Sequence, residues 1–453
     1  MECIVCKFGG SSLATTGGIQ QAASLLKQNP ARRCIVLSAP GKAPGITIKV
    51  TDLLIAIVKK SLDNRNCSGE IEQVKQRYRD IYISLGVSGD TCENVLSDLD
   101  ERLSFPRENR DKYRDWVVAA GEDLNARLFA HYLSAEGMTA RYISPGDGGL
   151  FVTDTFGDAQ PLPESSLNLA SLKQTCSDTI VVFPGFYGIT KSGDIATFSR
   201  GGSDLTGAIL SDALNAVEYE NWTDVDGIYC TNPKIVDSPM QISALTYKEM
   251  RELSYIGFNV FHEEAVRPAM DKKIPIRLRN TFNPDNPGTL IASRRLPSER
   301  DIVGIASGGG YASFNLQKFL MNREKGFGRR LLSIFEEMSL SYEHCPSGVD
   351  NISVILAQAQ LTPEIVNTII RRIEESLQPD EIKTEFGISL IAVVGEGLLH
   401  KIGVLAQTAH ALADANVNIK MANQGSSEIS MIFGIDASDE KRAVKALYNT
   451  FFR

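Results

Sequence analysis

Two glycine-bearing segments carry the residues best suited to chemistry. Lys7-Phe8-Gly9-Gly10-Ser11-Ser12 follows a short apolar run, and Arg200-Gly201-Gly202-Ser203-Asp204 opens a helical pattern. Phosphoryl transfer needs cations and main-chain N–H donors gathered around spread negative charge, and glycine admits backbone where a side chain would block it. The first segment supplies an ammonium group beside two glycines. The second supplies a guanidinium able to grip a carboxylate through two parallel hydrogen bonds, next to a hydroxyl and an acid. A solvated strand-end lysine and a surface turn holding an Arg200–Asp204 pair are the plain structural alternatives. Glu122, in Ala119-Ala120-Gly121-Glu122, lies in a helical pattern where its carboxylate could meet an ammonium group or simply lie exposed. Neither the Walker spacing Gly-x4-Gly-Lys-Ser/Thr nor the dinucleotide fingerprint Gly-x-Gly-x-x-Gly occurs.

The elements that must position these residues follow from the hydrophobic pattern. Strands are predicted at Cys3–Phe8, Cys34–Ser38 and Thr179–Phe183, and helices around Ile19–Leu26, over Trp116–Ala135 and over Leu205–Leu214. Strands alternating with helices predict an α/β domain with a largely parallel sheet, its glycine turns at strand ends. A polar, proline-bearing stretch at Leu296–Asp301 marks the main boundary. Beyond it the chain repeats itself at an offset of 77 residues: Gly326 matches Gly403, Gly348 matches Gly425, and Ile352-Ser353 matches Ile429-Ser430. Two βαβ-like modules of about 75 residues are implied.

Composition narrows the function classes. A chain of 453 residues with 43% hydrophobic content can bury sizeable cores. Its 47 Lys and Arg against 55 Asp and Glu leave a net charge of −8, so neither nucleic acid nor an anionic membrane is expected as a partner. Eight cysteines scattered from Cys3 to Cys345 suit a reducing compartment, which makes the cytoplasm the expected location. No apolar run is long enough for a membrane span, and no signal-peptide pattern opens the chain. Cys3-x-x-Cys6 is read as strand packing rather than a redox or zinc half-site. No second pair has ligand spacing, and strand residues three apart face opposite sides.

Together with Gly121-Glu122, Thr223-Asp224-Val225-Asp226-Gly227-Ile228-Tyr229 and Gly425-Ser426-Ser427-Glu428, the two glycine segments resemble the aspartokinases of the amino-acid kinase superfamily, in order and spacing and over nearly the whole chain. The resemblance implies an amino-acid-kinase-like three-layer α/β domain with a mainly parallel sheet at 1–295, a linker at 296–301, and two βαββαβ-type ACT modules at 302–385 and 386–453. It implies transfer of the ATP γ-phosphoryl group to the β-carboxylate of L-aspartate, giving 4-phospho-L-aspartate and ADP. Mg²⁺ would be carried by ATP, with no metal site of the protein's own. This would be the first step of the lysine, threonine and methionine branch of amino-acid biosynthesis. A carboxylate is already ionised at neutral pH, so the nucleophile needs no general base, and the task is alignment and charge neutralisation. His131, His400 and His410, in helical or turn patterns, are accordingly expected to pack rather than react.

The resemblance also implies roles for single residues. Lys7 would stabilise the transferring group, and Asp204 would orient Lys7 or the substrate. Gly9, Gly10 and Ser11 would present main-chain donors to phosphate. Arg200, with Gly201, Gly202 and Ser203, would clamp a substrate carboxylate, Glu122 would pair with the ammonium group, and Thr51 would add a hydroxyl, unless it is an ordinary helix N-cap. Thr223, Asp224, Tyr229 and Lys234 would contact the nucleotide. Two departures stand out: Asp226 replaces a common proline, and Asn259 replaces a nucleotide-contacting lysine. Met321, Phe327, Gly328 and Asn351 are candidate effector contacts, with lysine or threonine as the effector and a homodimer or larger assembly formed through the ACT modules. A relative acting on another acid or a carbamate, and a catalytically silent amino-acid sensor, remain alternatives; intact Lys7, Arg200 and Asp204 speak against the sensor. Length leaves no room for a fused homoserine dehydrogenase.

Overall fold

The computed structural model describes residues 2–199, 201–258, 263–295 and 300–453, with the side chains of residues 263 and 264 left aside. The chain forms two compact units, one of residues 1–228, 241–247 and 259–299, the other of residues 229–240, 248–258 and 300–453. No helix among the described residues is long and apolar enough to cross a membrane.

The first unit is built on an eight-stranded sheet. Its strands are β1 (Ile4–Phe8), β2 (Arg32–Leu37), β3 (Ala140–Tyr142), β4 (Ile180–Pro184), β7 (Glu218–Thr223), β8 (Ala244–Thr246), β9 (Ile276–Asn280) and β10 (Thr289–Ala292), while β5 (Tyr187–Ile189) and β6 (Ile195–Thr197) form a separate hairpin. The order is β3-β4-β2-β1-β7-β9-β10-β8, and every pair is parallel except β9 with β10. All five residues of β1 are buried, as expected of a central parallel strand covered on both faces. Helices Thr16–Gln28, Val50–Leu62, Ser68–Tyr82, Gly89–Leu103 and Ala120–Ala135 contribute apolar faces to one core with β1 and β2. β2 and β7 flank β1 on opposite sides, so the strand order reverses at β1, the kind of switch point beyond whose carboxyl ends open α/β sheets place their ligand sites.

The predicted strands are present, each shifted by a residue or two at its ends. The helix expected over Trp116–Ala135 is instead two, Arg110–Val118 and Ala120–Ala135, meeting at Ala119, whose ψ of −17° breaks the regular ladder. Cys3 and Cys6 are both buried, and Cys6 Sγ lies 3.3 Å from a Glu220 carboxylate oxygen.

In the second unit β11 (Gly304–Gln317), β12 (Asn351–Ala357), β13 (Glu381–Val394), β14 (Met421–Gln424) and β15 (Ser430–Asp436) form an antiparallel sheet in the order β12-β11-β13-β15-β14. β11 and β13 each serve both modules. Gly304–Gly308 pairs with the end of β13, whereas 311–317 pairs with β12 and with the beginning of β13. Gly326 and Gly403, matched in the sequence repeat, both cap helices at left-handed φ, 78° and 88°. The segments 229–240 and 248–258 join this unit through Ile305 N–H to Cys230 O (2.6 Å), Ser430 Oγ to Glu252 Oε2 (2.7 Å) and Glu396 N–H to Glu249 Oε1 (2.7 Å).

Candidate active site

Lys7, the last residue but one of β1, has its side chain buried and its Nζ 2.6 Å from Asp204 Oδ1. Asp204 stands in the first turn of the helix Gly202–Leu214, and its Oδ1 also accepts a 2.7 Å hydrogen bond from Asn221 Nδ2. Asn221 is the β7 residue registered opposite Lys7, so both side chains emerge on one face of the sheet. Lys7 is therefore buried in an ion pair rather than solvated at the strand end. Arg200 lies outside the described residues. Gly201 adopts φ 74°, which sets up the turn into the helix, and Ser203 is buried against Gly185 at the end of β4.

The turn after β1 is held by its neighbours. Gly9 N–H donates to Trp222 O (2.9 Å), and Gly41 N–H donates to Gly10 O (2.7 Å). A Cβ on Gly10 would lie 2.8 Å from Ala39 O, so only glycine lets the loop after β2 press against it. Ser11 is half-buried in this turn, while Ser12 is fully buried with its hydroxyl taken up by Trp222 O (3.5 Å) and Thr281 Oγ1 (2.8 Å). Thr223 and Asp224 follow Trp222 at the end of β7, with Thr223 Oγ1 donating to Asp224 Oδ1 at 3.0 Å.

Glu122 is buried, not exposed on its helix. One oxygen accepts Ala39 N–H at 3.1 Å, and Oε2 has no hydrogen-bond partner among the described residues. Burial pushes this carboxyl up to about 8, against the opposing pull of the Ala39 N–H. Thr51 is the second residue of the helix Val50–Leu62, so it is not the N-cap; that position is Lys49, which makes no side-chain cap bond. A Cβ on Gly121 would meet Ala39, Leu54 and Val50, which shows how closely the Thr51 helix, the Glu122 helix and the loop after β2 converge.

On the opposite sheet face Glu220 takes a two-point ion pair from Arg32 (2.7 and 3.0 Å) and a bond from Trp222 Nε1 (2.9 Å). The Arg32 and Arg279 guanidinium groups both lie over the Trp222 ring, 5.1 and 4.6 Å from its centre. Asp226 ties its turn down by accepting from Asn280 (2.8 Å) and Asn283 (3.0 Å), a hydrogen-bonded lock where a proline would act through a fixed φ.

Tyr229 and Lys234 belong to the second unit, where Tyr229 is half-buried and Lys234 exposed; Asn259 lies outside the described residues. In the second unit Met321 and Phe327 are buried in a hydrophobic core with Leu331, Phe335 and Ile369. Gly328 lies in the first turn of the following helix with open space around it, and Asn351 is exposed at the start of β12. Sequence reasoning missed Asn221, Arg77, whose Nη2 donates to Gly41 O at 2.8 Å, and Asn125, whose Nδ2 donates to Ser38 O at 2.8 Å. The polar Asn221 amid the buried residues of β7 is a legible signal; the other two act through long-range contacts that no local pattern encodes.

A model of the amino acid kinase family matches residues 2–280, and a model of the ACT domain matches residues 391–451. The chain is similar to aspartokinase 3 of Bacillus subtilis (strain 168), 48% identical over 448 residues that cover 99% of this chain and 98% of that one. It is 29% identical to the chloroplastic aspartokinase 1 of Arabidopsis thaliana over 463 residues, covering 99% and 80%. Among solved structures, the aspartate kinase of Clostridium acetobutylicum matches with a TM-score of 0.87 at 36% identity, over 99% of this chain and 100% of that one. The E. coli aspartokinase III, solved with aspartate and ADP and also with lysine and aspartate, shares the fold at a TM-score of 0.75 and 23% identity over the full length of both chains.

Proposed function

Because the chain belongs to the aspartokinases, within the amino acid kinase family, it is an ATP-dependent kinase with a carboxylate acceptor, and we propose that it carries the γ-phosphoryl group of ATP to the β-carboxylate of L-aspartate, giving 4-phospho-L-aspartate and ADP. The observation that carries this reading is the Lys7–Asp204–Asn221 cluster beside the Gly9-Gly10 turn. There a fixed ammonium group and approachable backbone can neutralise repulsion between two anions held in line. Asp204 and Asn221 hold the Lys7 ammonium in place, so little reorganisation is left for the moment of transfer.

Glu122 is suited to the ammonium group of the acceptor, since a buried oxygen without a partner gains most from a cation. Arg200 is assigned to a substrate carboxylate, Thr51 to a hydroxyl contact, Gly201, Gly202 and Ser203 to the floor beneath the acceptor, and Gly9, Gly10 and Ser11 to phosphate oxygens. Thr223, Asp224, Tyr229 and Lys234 are assigned to the nucleotide. Mg²⁺ enters on the ATP phosphates and supplies charge neutralisation when bound. Mg²⁺ readily keeps waters and binds through nucleotide phosphates, so the nucleotide's own oxygens would be its main ligands.

The catalytic module is assigned to 1–295, the linker to 296–301, and the regulatory modules to 302–385 and 386–453, with lysine or threonine as a feedback effector. The lysine complex of the E. coli relative supports this assignment. Because Met321 and Phe327 spend their side chains in a core, any effector contact from them is made by backbone, with Gly328 and Asn351 beside them. We place the enzyme in the cytoplasm, as a homodimer or larger assembly, at the first step of the lysine, threonine and methionine branch. The test is ATP-dependent hydroxamate formation when purified protein is given aspartate and hydroxylamine. Aspartate should give the signal, glutamate should not, and no signal with aspartate overturns the reading.

A further inference from the structure

Asn125 and Glu122 stand three residues apart on one helix, hence on one face. Both reach the same peptide bond: Asn125 Nδ2 donates to Ser38 O (2.8 Å), and Glu122 Oε1 accepts from Ala39 N–H (3.1 Å). A peptide unit is planar, so gripping its carbonyl and its N–H fixes the plane of the chain at that point. Asn125 is itself aligned, because Tyr82 Oη donates to its Oδ1 at 2.6 Å and leaves Nδ2 as the donor toward Ser38. Asn125 and Tyr82 are fully buried, where an amide is tolerated only when its bonds are made. The gripped peptide leads into Ala39 O and Gly41, the two groups that press on Gly10.

We propose that Asn125, aligned by Tyr82, is a positioning residue that clamps the Ser38–Ala39 peptide against Glu122, so that the ammonium end of the acceptor site and the phosphate-side glycine turn are set by one rigid link. The proposal rests on the assignment of Glu122 to the aspartate ammonium group. The Ala39 N–H favours the ionised form of Glu122, the form an ammonium group needs, and a loose peptide weakens that support.

The test compares Tyr82→Phe, Asn125→Leu and Glu122→Gln with the parent enzyme, measuring KM for aspartate, kcat and the pH dependence of KM. Removing one hydrogen bond of the clamp should raise KM for aspartate about five- to tenfold. It should also move the pH at which KM begins to climb upward, since Glu122 then ionises less readily. A merely structural role would lower thermal stability and leave that pH unmoved. Tyr82→Phe keeps the ring and the packing, so it decides the matter even if Asn125→Leu fails to fold. If Glu122→Gln raises KM while Tyr82→Phe matches the parent in both KM and its pH dependence, the clamp is wrong and the site reading stands. If Glu122→Gln leaves KM unchanged, the ammonium assignment falls and the clamp falls with it.

Discussion

A buried carboxyl without a counter-charge resists ionisation, and Glu122 is protonated in the free site until the pH approaches about 8. An ammonium group binds the ionised form. With Glu122 assigned to the aspartate ammonium group, binding displaces a proton at lower pH, and KM for aspartate should climb by up to about tenfold per unit as the pH falls below that value. Initial rates measured from pH 6 to 9 should show this slope in the parent and none in Glu122→Gln. The same group acts on stability with a definite sign. Its folded value lies above its ordinary one, so its contribution is full below about 4.5 and is lost as pH rises through about 8. Glu122→Gln should accordingly melt higher than the parent at pH 8.5 and gain less at pH 5. Lys7 is assigned to the transfer rather than to the acceptor. Lys7→Ala should lower kcat by about a hundredfold or more while KM for aspartate stays within a few-fold, because the lost interaction is made with the transferring group. Unchanged turnover removes Lys7 from the chemistry.

At the scale of elements, β2, β7 and β9 are bound across one sheet face by Arg32, Glu220, Trp222 and Arg279. Burial alone would push the Glu220 carboxyl up, yet its Arg32 pair together with the Trp222 and Cys6 hydrogen bonds outweighs burial and holds it below the usual range. A depressed value contributes stability above the ordinary 4.5, and that contribution is lost as the pH falls through the folded value. Removing one partner leaves the other charge buried and unpaired, so Arg32→Leu should cost about 3–5 kcal/mol in urea unfolding. Adding Glu220→Leu to it should recover much of that loss; additive losses would show that the pair is not the unit of stabilisation. In the second unit the helix-capping Gly326 and Gly403 hold left-handed φ with open space around them, so Ala at either position should cost about 1 kcal/mol through backbone conformation alone.

For the whole molecule, the chain leaves the first unit after Ile228, returns at Gln241, and leaves again after Tyr247. Thr223 and Asp224 thus lie within a few residues of a segment that packs with β11, and Leu253 sits directly under Gly304. An effector that stabilises the second unit therefore has a covalent route to Thr223 and Asp224, the residues assigned to the nucleotide. Lysine or threonine at millimolar concentration should raise the melting temperature and change the rate of hydroxamate formation. If neither amino acid moves either quantity, the feedback assignment fails.

The sequence by itself determined the strand–turn–helix order, the glycines at the strand ends and the 77-residue repeat whose glycines cap equivalent helices, because periodicity and left-handed turns are written in neighbouring residues. Motif order was enough to imply the kinase. Only the tertiary structure chose Lys7 as the partner of Asp204, buried Glu122 without a cation, brought Asn125 and Tyr82 to the peptide after β2, and packed 229–240 with the second unit. Each of those outcomes joins residues far apart in the chain, and burial and hydrogen-bond satisfaction are properties of the assembled interior, which no local stretch of residues contains.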